Sequence, residues 1–142
     1  MKKISALSDL QMLELPSFVD DRGGLTVISE KADVPFSFSR VFFTYNAQSN
    51  TIRGSHAHKT CSQFLLCPYG SFEVEVTDGT RSKTFKMENP SVGLFIPPLI
   101  WSTQKNYSSG AVCLVLASEK YDQNEYVRNF DKFKELRAEI QS

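Results

Sequence analysis

Phe72-Glu73-Val74-Glu75-Val76-Thr77-Asp78-Gly79-Thr80-Arg81-Ser82-Lys83-Thr84-Phe85-Lys86-Met87 is the stretch whose reading decides the fold. Its first six residues place apolar side chains at even positions and polar ones at odd positions, the period of a half-buried β-strand. Asp78-Gly79 supplies a tight turn and Arg81 to Met87 returns, so the segment predicts an antiparallel hairpin. Working outward, Gly24-Leu25-Thr26-Val27-Ile28-Ser29 follows the turn-forming cluster Asp20-Asp21-Arg22-Gly23-Gly24 and has β-branched strand content. Arg40-Val41-Phe42-Phe43-Thr44-Tyr45 predicts a strand with aromatics on both faces. Gly93 to Ile96 and Val112 to Ala117 predict two more, the last buried on both faces. Short strands between frequent turns imply an all-β sandwich or barrel. The tail departs from this texture. Asp122-x-x-Glu125 has the form of a capping box, and Phe130, Phe133, Leu136, Arg137 and Ile140 follow a mostly helical spacing, which predicts a short C-terminal α-helix.

The 142 residues hold no repeat, low-complexity tract or Gly/Ser linker, so residues 1–142 are expected to form a single domain. Lysine plus arginine and aspartate plus glutamate each number 16, giving zero formal charge. No global basic field therefore favours nucleic acid or an anionic membrane as partner. Met1-Lys2-Lys3-Ile4-Ser5 is basic, yet no apolar signal-peptide core follows, and runs such as Ala111 to Ala117 are too short to span a bilayer. Cys61, Cys67 and Cys113 form no C-x-x-C pair and sit among apolar neighbours. They are expected to be small buried hydrophobes in a reduced, cytoplasmic protein. Eleven phenylalanines and five tyrosines are many for a domain of this size; most are expected in the core, and a few are available to line a pocket or a subunit interface.

The strongest chemical signal is the histidine pair. The chain has two histidines, His56 and His58, a spacing that random placement yields about one time in seventy. On a strand, residues i and i+2 point to one face, so both imidazoles enter the same space. Arg53-Gly54 just before them adds a cation and a flexible backbone position. The pattern Gly54-x-His56-x-His58, then Gln63 and Gly70, resembles the first motif of the cupin superfamily. In metal-binding cupins that motif supplies two histidines and a glutamate, and a second motif supplies a third histidine. Here Gln63 replaces the glutamate, and Pro90 through Ser102 contains no histidine. Two imidazoles and an amide oxygen are a poor divalent site, so no metal is expected. Imidazoles free of metal suit proton transfer, because a pKa near ~6.5 matches a general base at neutral pH. The plainer alternative is a binding module on which both histidines are surface or satisfied core residues.

Over most of its length the chain resembles the dTDP-sugar 3,4-ketoisomerases, a metal-free branch of the cupin superfamily. The resemblance is carried by Asp21-Arg22-Gly23-Gly24-Leu25, Pro35 through Val41, Arg53-Gly54-Ser55-His56-Ala57-His58-Lys59, Gln63 and Pro97 through Trp101. It continues in Val115-Leu116-Ala117-Ser118-Glu119-x-Tyr121-Asp122 and Glu125-Tyr126-Val127-Arg128-Asn129-Phe130. It implies a cupin-type jelly roll, a homodimer that exchanges strands, and dTDP-4-keto-6-deoxyglucose as substrate. The keto group would move from carbon 4 to carbon 3, and the products would serve 3-amino-sugar synthesis for cell-surface glycans.

That chemistry needs a base for a carbon-bound proton and a second group to manage charge or proton on oxygen. No redox cofactor is needed, in keeping with the lack of a glycine-rich dinucleotide fingerprint. The resemblance places His56 as base and His58 as its partner. Arg40 and Arg53 are candidates for the enediolate oxygen or the diphosphate. Arg22, Gln63 and Trp101 complete the expected substrate contacts, although a lone tryptophan more often belongs to the core. The Arg22-Gly23 pair is the one found in galacto-forming members. Departures are also visible: Phe42 and Phe43 stand where members commonly carry tyrosines, and Ser102 where they carry a histidine. A nucleotide-sugar epimerase and a catalytically silent dTDP-sugar-binding module remain as alternatives.

Overall fold

The computed structural model describes residues 4–141; the basic start, Met1 to Lys3, and Ser142 lie outside the described residues. The deciding hairpin forms as its alternation requires. Phe72–Thr77 (β7) pairs with Ser82–Met87 (β8), Phe72 opposite Met87 and Thr77 opposite Ser82. Phe72, Val74 and Val76 are buried while Glu73 and Glu75 face outward. The connection takes four residues, because the Asp78 carboxylate accepts from the N–H of both Thr80 and Arg81 at 2.9 and 2.8 Å.

The other strands are Gln11–Glu14 (β1), Ser17–Asp20 (β2), Gly23–Thr26 (β3), Arg40–Thr44 (β4), Arg53–His58 (β5) and Gln63–Tyr69 (β6). Val92–Ile96 (β9), Trp101–Lys105 (β10), Val112–Ala117 (β11) and Tyr126–Val127 (β12) follow, and Phe130–Gln141 (α1) closes the described chain. One antiparallel sheet has the order β1-β9-β6-β11-β4, and the facing one β12-β5-β10-β7-β8. Their inner faces interdigitate through Leu65, Cys67, Leu94, Cys113 and Val115 from the first and Phe72, Val74 and Val76 from the second. This is the sandwich that the strand pattern implies, in the jelly-roll form that the resemblance implies.

Both outer faces are partly covered. Val34, Phe36 and Phe38 pack over Phe64, Leu66 and Leu116 of the first sheet. On the second, α1 buries Phe133 against Ala57 and Val127. All three cysteines are free and buried. Among the described residues no helix is long and apolar enough to cross a membrane.

Two expectations are corrected. The strand expected over Gly24 to Ser29 ends at Thr26, because the Asp33 carboxylate takes the Ser29 N–H and redirects the chain across the outer face. The capping box does not start the helix. Asp122 instead caps a 3-10 turn over Gln123–Glu125, and α1 begins eight residues after that cap, with Asn129 Oδ1 accepting from the Lys132 N–H. The Glu125 carboxylate is taken up by the backbone N–H groups of Thr60 and Cys61.

Candidate active site

The histidines sit on β5, which is bulged. Ser102 of β10 pairs with His56, but Thr103 pairs with Gly54 and Gln104 with Arg53, leaving Ser55 as the extra residue. The bulge depends on local conformation: Gly54 has φ of +80° and Ser55 of +56°, in the left-handed region. A Cβ at Gly54 would also lie 3.0 Å from the Ser102 carbonyl oxygen. Opposed residues in an antiparallel pair share a face, so the bulge returns Arg53 to the inward side that holds His56 and His58.

The two imidazoles meet edge to face, with centroids 5.1 Å apart and planes at 87°. Tyr126, opposite His58 in the β12–β5 ladder, packs 4.4 Å from His58 and 4.9 Å from His56. Tyr121 lies 5.7 Å from Tyr126. From the facing sheet, the Arg40 guanidinium lies over Phe42 at 5.0 Å and Tyr121 at 5.6 Å, and Arg128 lies over Tyr126 at 4.5 Å. Arg40, Phe42, Tyr121 and Tyr126 line a cavity of about 350 Å³. Neither Arg40 nor Arg128 forms an ion pair among the described residues, and Arg40 Nε is buried without a partner.

This environment sets the charge of the pair. Burial pushes His58 down to about 3, and His56, Arg40 and Arg128 add to the shift. His56 is also lowered, chiefly by burial, with the Gly54 backbone opposing and Arg128 reinforcing the shift. Both imidazoles are therefore neutral at neutral pH, the form that accepts a proton. Both ring nitrogens of His58 are buried and unpartnered, whereas at His56 this holds for Nδ1 but not Nε2.

The remaining sequence candidates divide. Arg40 joins the pair directly, and Gln63, 5% exposed, faces the same interior across Ala117, the strand partner of both. Arg53 is exposed farther along the inward face, where its charge is felt by Tyr107 and Cys113. Trp101 is not brought to the histidines. Its neighbour Ser102 points inward, so Trp101 faces outward and packs on Phe130 and Phe133 at 5.2 and 5.6 Å beneath α1. Arg22 is also not brought there by this chain: it tips the β2–β3 hairpin, exposed, and pairs with Asp20 at 2.5 Å. Tyr121, Tyr126 and Arg128 face the pair without having been singled out by spacing or residue type. Their signal was the Tyr-Asp and Glu-Tyr-Val-Arg segments, which carried a resemblance without an assigned role.

A jelly-roll sandwich whose interior opens on two neutral histidines and unpaired arginines is a cupin-type architecture. The family described as "FdtA: WxcM-like, C-terminal" matches residues 8–138. The chain is 36% identical over 130 residues to TDP-4-oxo-6-deoxy-alpha-D-glucose-3,4-oxoisomerase of Aneurinibacillus thermoaerophilus, covering 92% of this chain and 94% of that one. Its fold superposes with a TM-score of 0.91 at 34% identity on a histidine-to-asparagine mutant of the 3,4-ketoisomerase QdtA from Thermoanaerobacterium thermosaccharolyticum in complex with TDP-4-keto-6-deoxyglucose, covering 94% and 97% of the two chains. The TDP-quinovose 3,4-ketoisomerase WlaRB from Campylobacter jejuni matches with a TM-score of 0.86 at 36% identity, over 91% and 99%. The chain belongs to this family of sugar-nucleotide 3,4-ketoisomerases and is an isomerase.

Proposed function

We propose that the enzyme converts dTDP-4-keto-6-deoxyglucose to a dTDP-3-keto-6-deoxyhexose, with His56 as the base. The observation that carries this reading is the pair itself: neutral, on one face, with an unpaired guanidinium alongside. His56 takes the proton from carbon 3, and the C–H electrons form the enediolate double bond between carbons 3 and 4. Negative charge then rests on the oxygen at carbon 4, where Arg40 stabilises it. His58 moves the proton of the carbon-3 hydroxyl toward that oxygen. Return of a proton to carbon 4 leaves the carbonyl at carbon 3, with no net oxidation. Gln63 orients the sugar, and Arg53, farther along the face, takes the diphosphate. Trp101 is left to packing.

Residues 1–142 act as one domain in a cytoplasmic homodimer, in keeping with three free thiols. Val41, Phe43 and Tyr45 form an exposed apolar stripe at the β4 edge, 53 to 63% exposed, and Phe18, Val19 and Leu25 of the hairpin are equally bare. A second copy covers both, and the exchanged hairpin carries Arg22 to the partner's site. That placement supports the galacto product, whose 3-keto group is ready for an aminotransferase on the way to a cell-surface 3-amino sugar.

The test is proton NMR of the protein with dTDP-4-keto-6-deoxyglucose in heavy water. The expected result is a 3-keto product deuterated at carbon 4, with ring couplings of the galacto isomer. Retention of the 4-keto group with inversion at one carbon would make the protein an epimerase, and intact but bound substrate would make it a binding module.

A further inference from the structure

A histidine that moves protons is ordinarily aimed by a hydrogen bond from its second nitrogen to a carboxylate or carbonyl. His58 has no such aim, and His56 has only the Gly54 backbone. No carboxylate contacts either ring among the described residues, and both nitrogens of His58 and Nδ1 of His56 are buried without partners. Ring orientation must therefore come from packing, and one side chain packs on both rings. Tyr126 is 4.4 Å from His58 at 55° and 4.9 Å from His56 at 73°.

The strap that carries Tyr126 is held at several points. Val127, its neighbour on β12, is buried opposite Ala57 of β5. The Lys59 N–H donates to the Glu125 carbonyl at 3.0 Å, and the Glu125 carboxylate accepts from the Cys61 N–H at 2.6 Å. The ring itself is flanked by Tyr121 and capped by the Arg128 guanidinium at 4.5 Å. Each tie fixes where the Tyr126 ring stands relative to β5, and hence where the imidazoles can turn.

We propose that Tyr126 is the positioning residue of the histidine pair, its ring packing on both imidazoles and standing in for the acceptor that His58 lacks, with Arg128 clamping that ring. The inference rests on the reading that His56 and His58 perform the chemistry. It gives the tyrosine ring, not its hydroxyl, the essential part. The charged and titratable groups facing the pair are Arg40 from β4, Tyr121 from the loop after β11, and Tyr126 and Arg128 from β12 and just beyond it. None is a carboxylate, so the Arg128 clamp also favours neutral imidazoles.

The test exploits the presence of only two histidines, which give two imidazole spin systems in an NMR spectrum. In Tyr126→Leu both sets of signals should lose the ring-current shift of the tyrosine and broaden, and kcat should fall about tenfold or more while KM changes much less. Tyr126→Phe, which restores the ring alone, should rescue both the shifts and most of the lost kcat. In Arg128→Met the imidazole titrations should move upward, because a cation facing them is gone. Unchanged imidazole signals and kcat in Tyr126→Leu would overturn the proposal, as would a Tyr126→Phe enzyme as impaired as Tyr126→Leu. Should Tyr126→Leu not fold, Tyr126→Phe and Arg128→Met decide alone: the proposal falls if Phe loses the shifts or if Met leaves the titrations in place. The imidazole signals are read without substrate, so an enzyme that fails to isomerise this sugar would sink the assigned reaction while leaving the positioning test intact.

Discussion

The strand that carries the histidines and the hairpin that carries Arg22 are built on opposite plans. β5 has neighbours on both edges, β10 and β12, and ends in the buried residues Ala57 and His58. β2 and β3 pair only with each other, and every residue of β2 is exposed. Along β5, exposure falls as the histidines are reached; on the hairpin, Phe18, Val19 and Leu25 stay 60 to 78% exposed. The histidine pair is thus organised within one chain, while the arm has apolar surface that its own chain does not cover. Substitutions on β5 should damage chemistry and stability directly, whereas those on the arm should act through what it touches.

The largest effect is expected at His56. His56→Asn keeps a polar side chain of similar reach but removes the proposed base, and should lower turnover by about two to four decades while leaving dTDP binding nearly intact. Steady-state kinetics with a separate calorimetric measurement of dTDP binding checks both halves. A variant that kept most of its turnover would move the base elsewhere and erase the distinction between β5 and the arm.

Next comes acid stability. His58 has a folded pKa of about 3 against 6.5 for an ordinary imidazole. As pH falls below 6.5 the unfolded chain takes up a proton that the folded one refuses, so stability is lost toward pH 3. The loss is about 1.4 kcal/mol per unit for this group, present in full above 6.5. His56, shifted in the same direction, adds to the slope. Urea unfolding at pH 7, 6, 5 and 4 should show His58→Asn with a shallower acid slope than the parent. Equal slopes would mean that the buried imidazole is already charged in the folded protein.

Much of this architecture is legible in the sequence. The hairpin of β7 and β8 could be read because period-two alternation and the residues of its turn point the same way. The histidine pair was legible because a spacing of two on a strand has one geometric outcome. The rest depended on facts that sequence encodes weakly. β12 is two residues long, too short for any periodicity, yet it places Tyr126 beside His58. The bulge that turns Arg53 inward arises from Ser55, whose left-handed backbone no local composition announces. Trp101 lay one residue from an inward-facing position, and a shift of one residue on a strand reverses the face. Asp122 and Glu125 had the right spacing for a helix start, but the Glu125 carboxylate found the N–H groups of Thr60 and Cys61, distant in sequence.

Glycine substitutions sharpen the contrast without touching the chemistry. A Cβ on Gly93 of β9 would lie 2.0 Å from Cζ of Phe64, whose ring is fully buried. Gly93→Ala should therefore cost about 1–3 kcal/mol, the usual penalty of overfilling a packed layer. On the arm, a Cβ at Gly24 would meet only Val19 Cγ2, at 3.4 Å. Gly24→Ala should leave the urea midpoint almost where it was. A costly Gly24→Ala would show that another body already presses on the arm, and a harmless Gly93→Ala would mean that the Phe64 ring can yield.

The smallest effect should come from Asp20→Asn. Asp20 holds Arg22 through its carboxylate at the hairpin tip, with side chains 47% and 87% exposed. Ion pairs this exposed lose to solvent screening and side-chain entropy most of what they gain from attraction, so the thermal midpoint should not move measurably in low or high salt. What should change is the freedom of Arg22, which no longer has a carboxylate to fold back on. If the hairpin reaches a second copy, the altered arginine registers in turnover or in the ratio of carbon-4 epimers while the melting curve stays still. A drop of several degrees in the midpoint would instead show that the hairpin is braced through this pair, and the arm would then belong with β5 as part of the rigid frame.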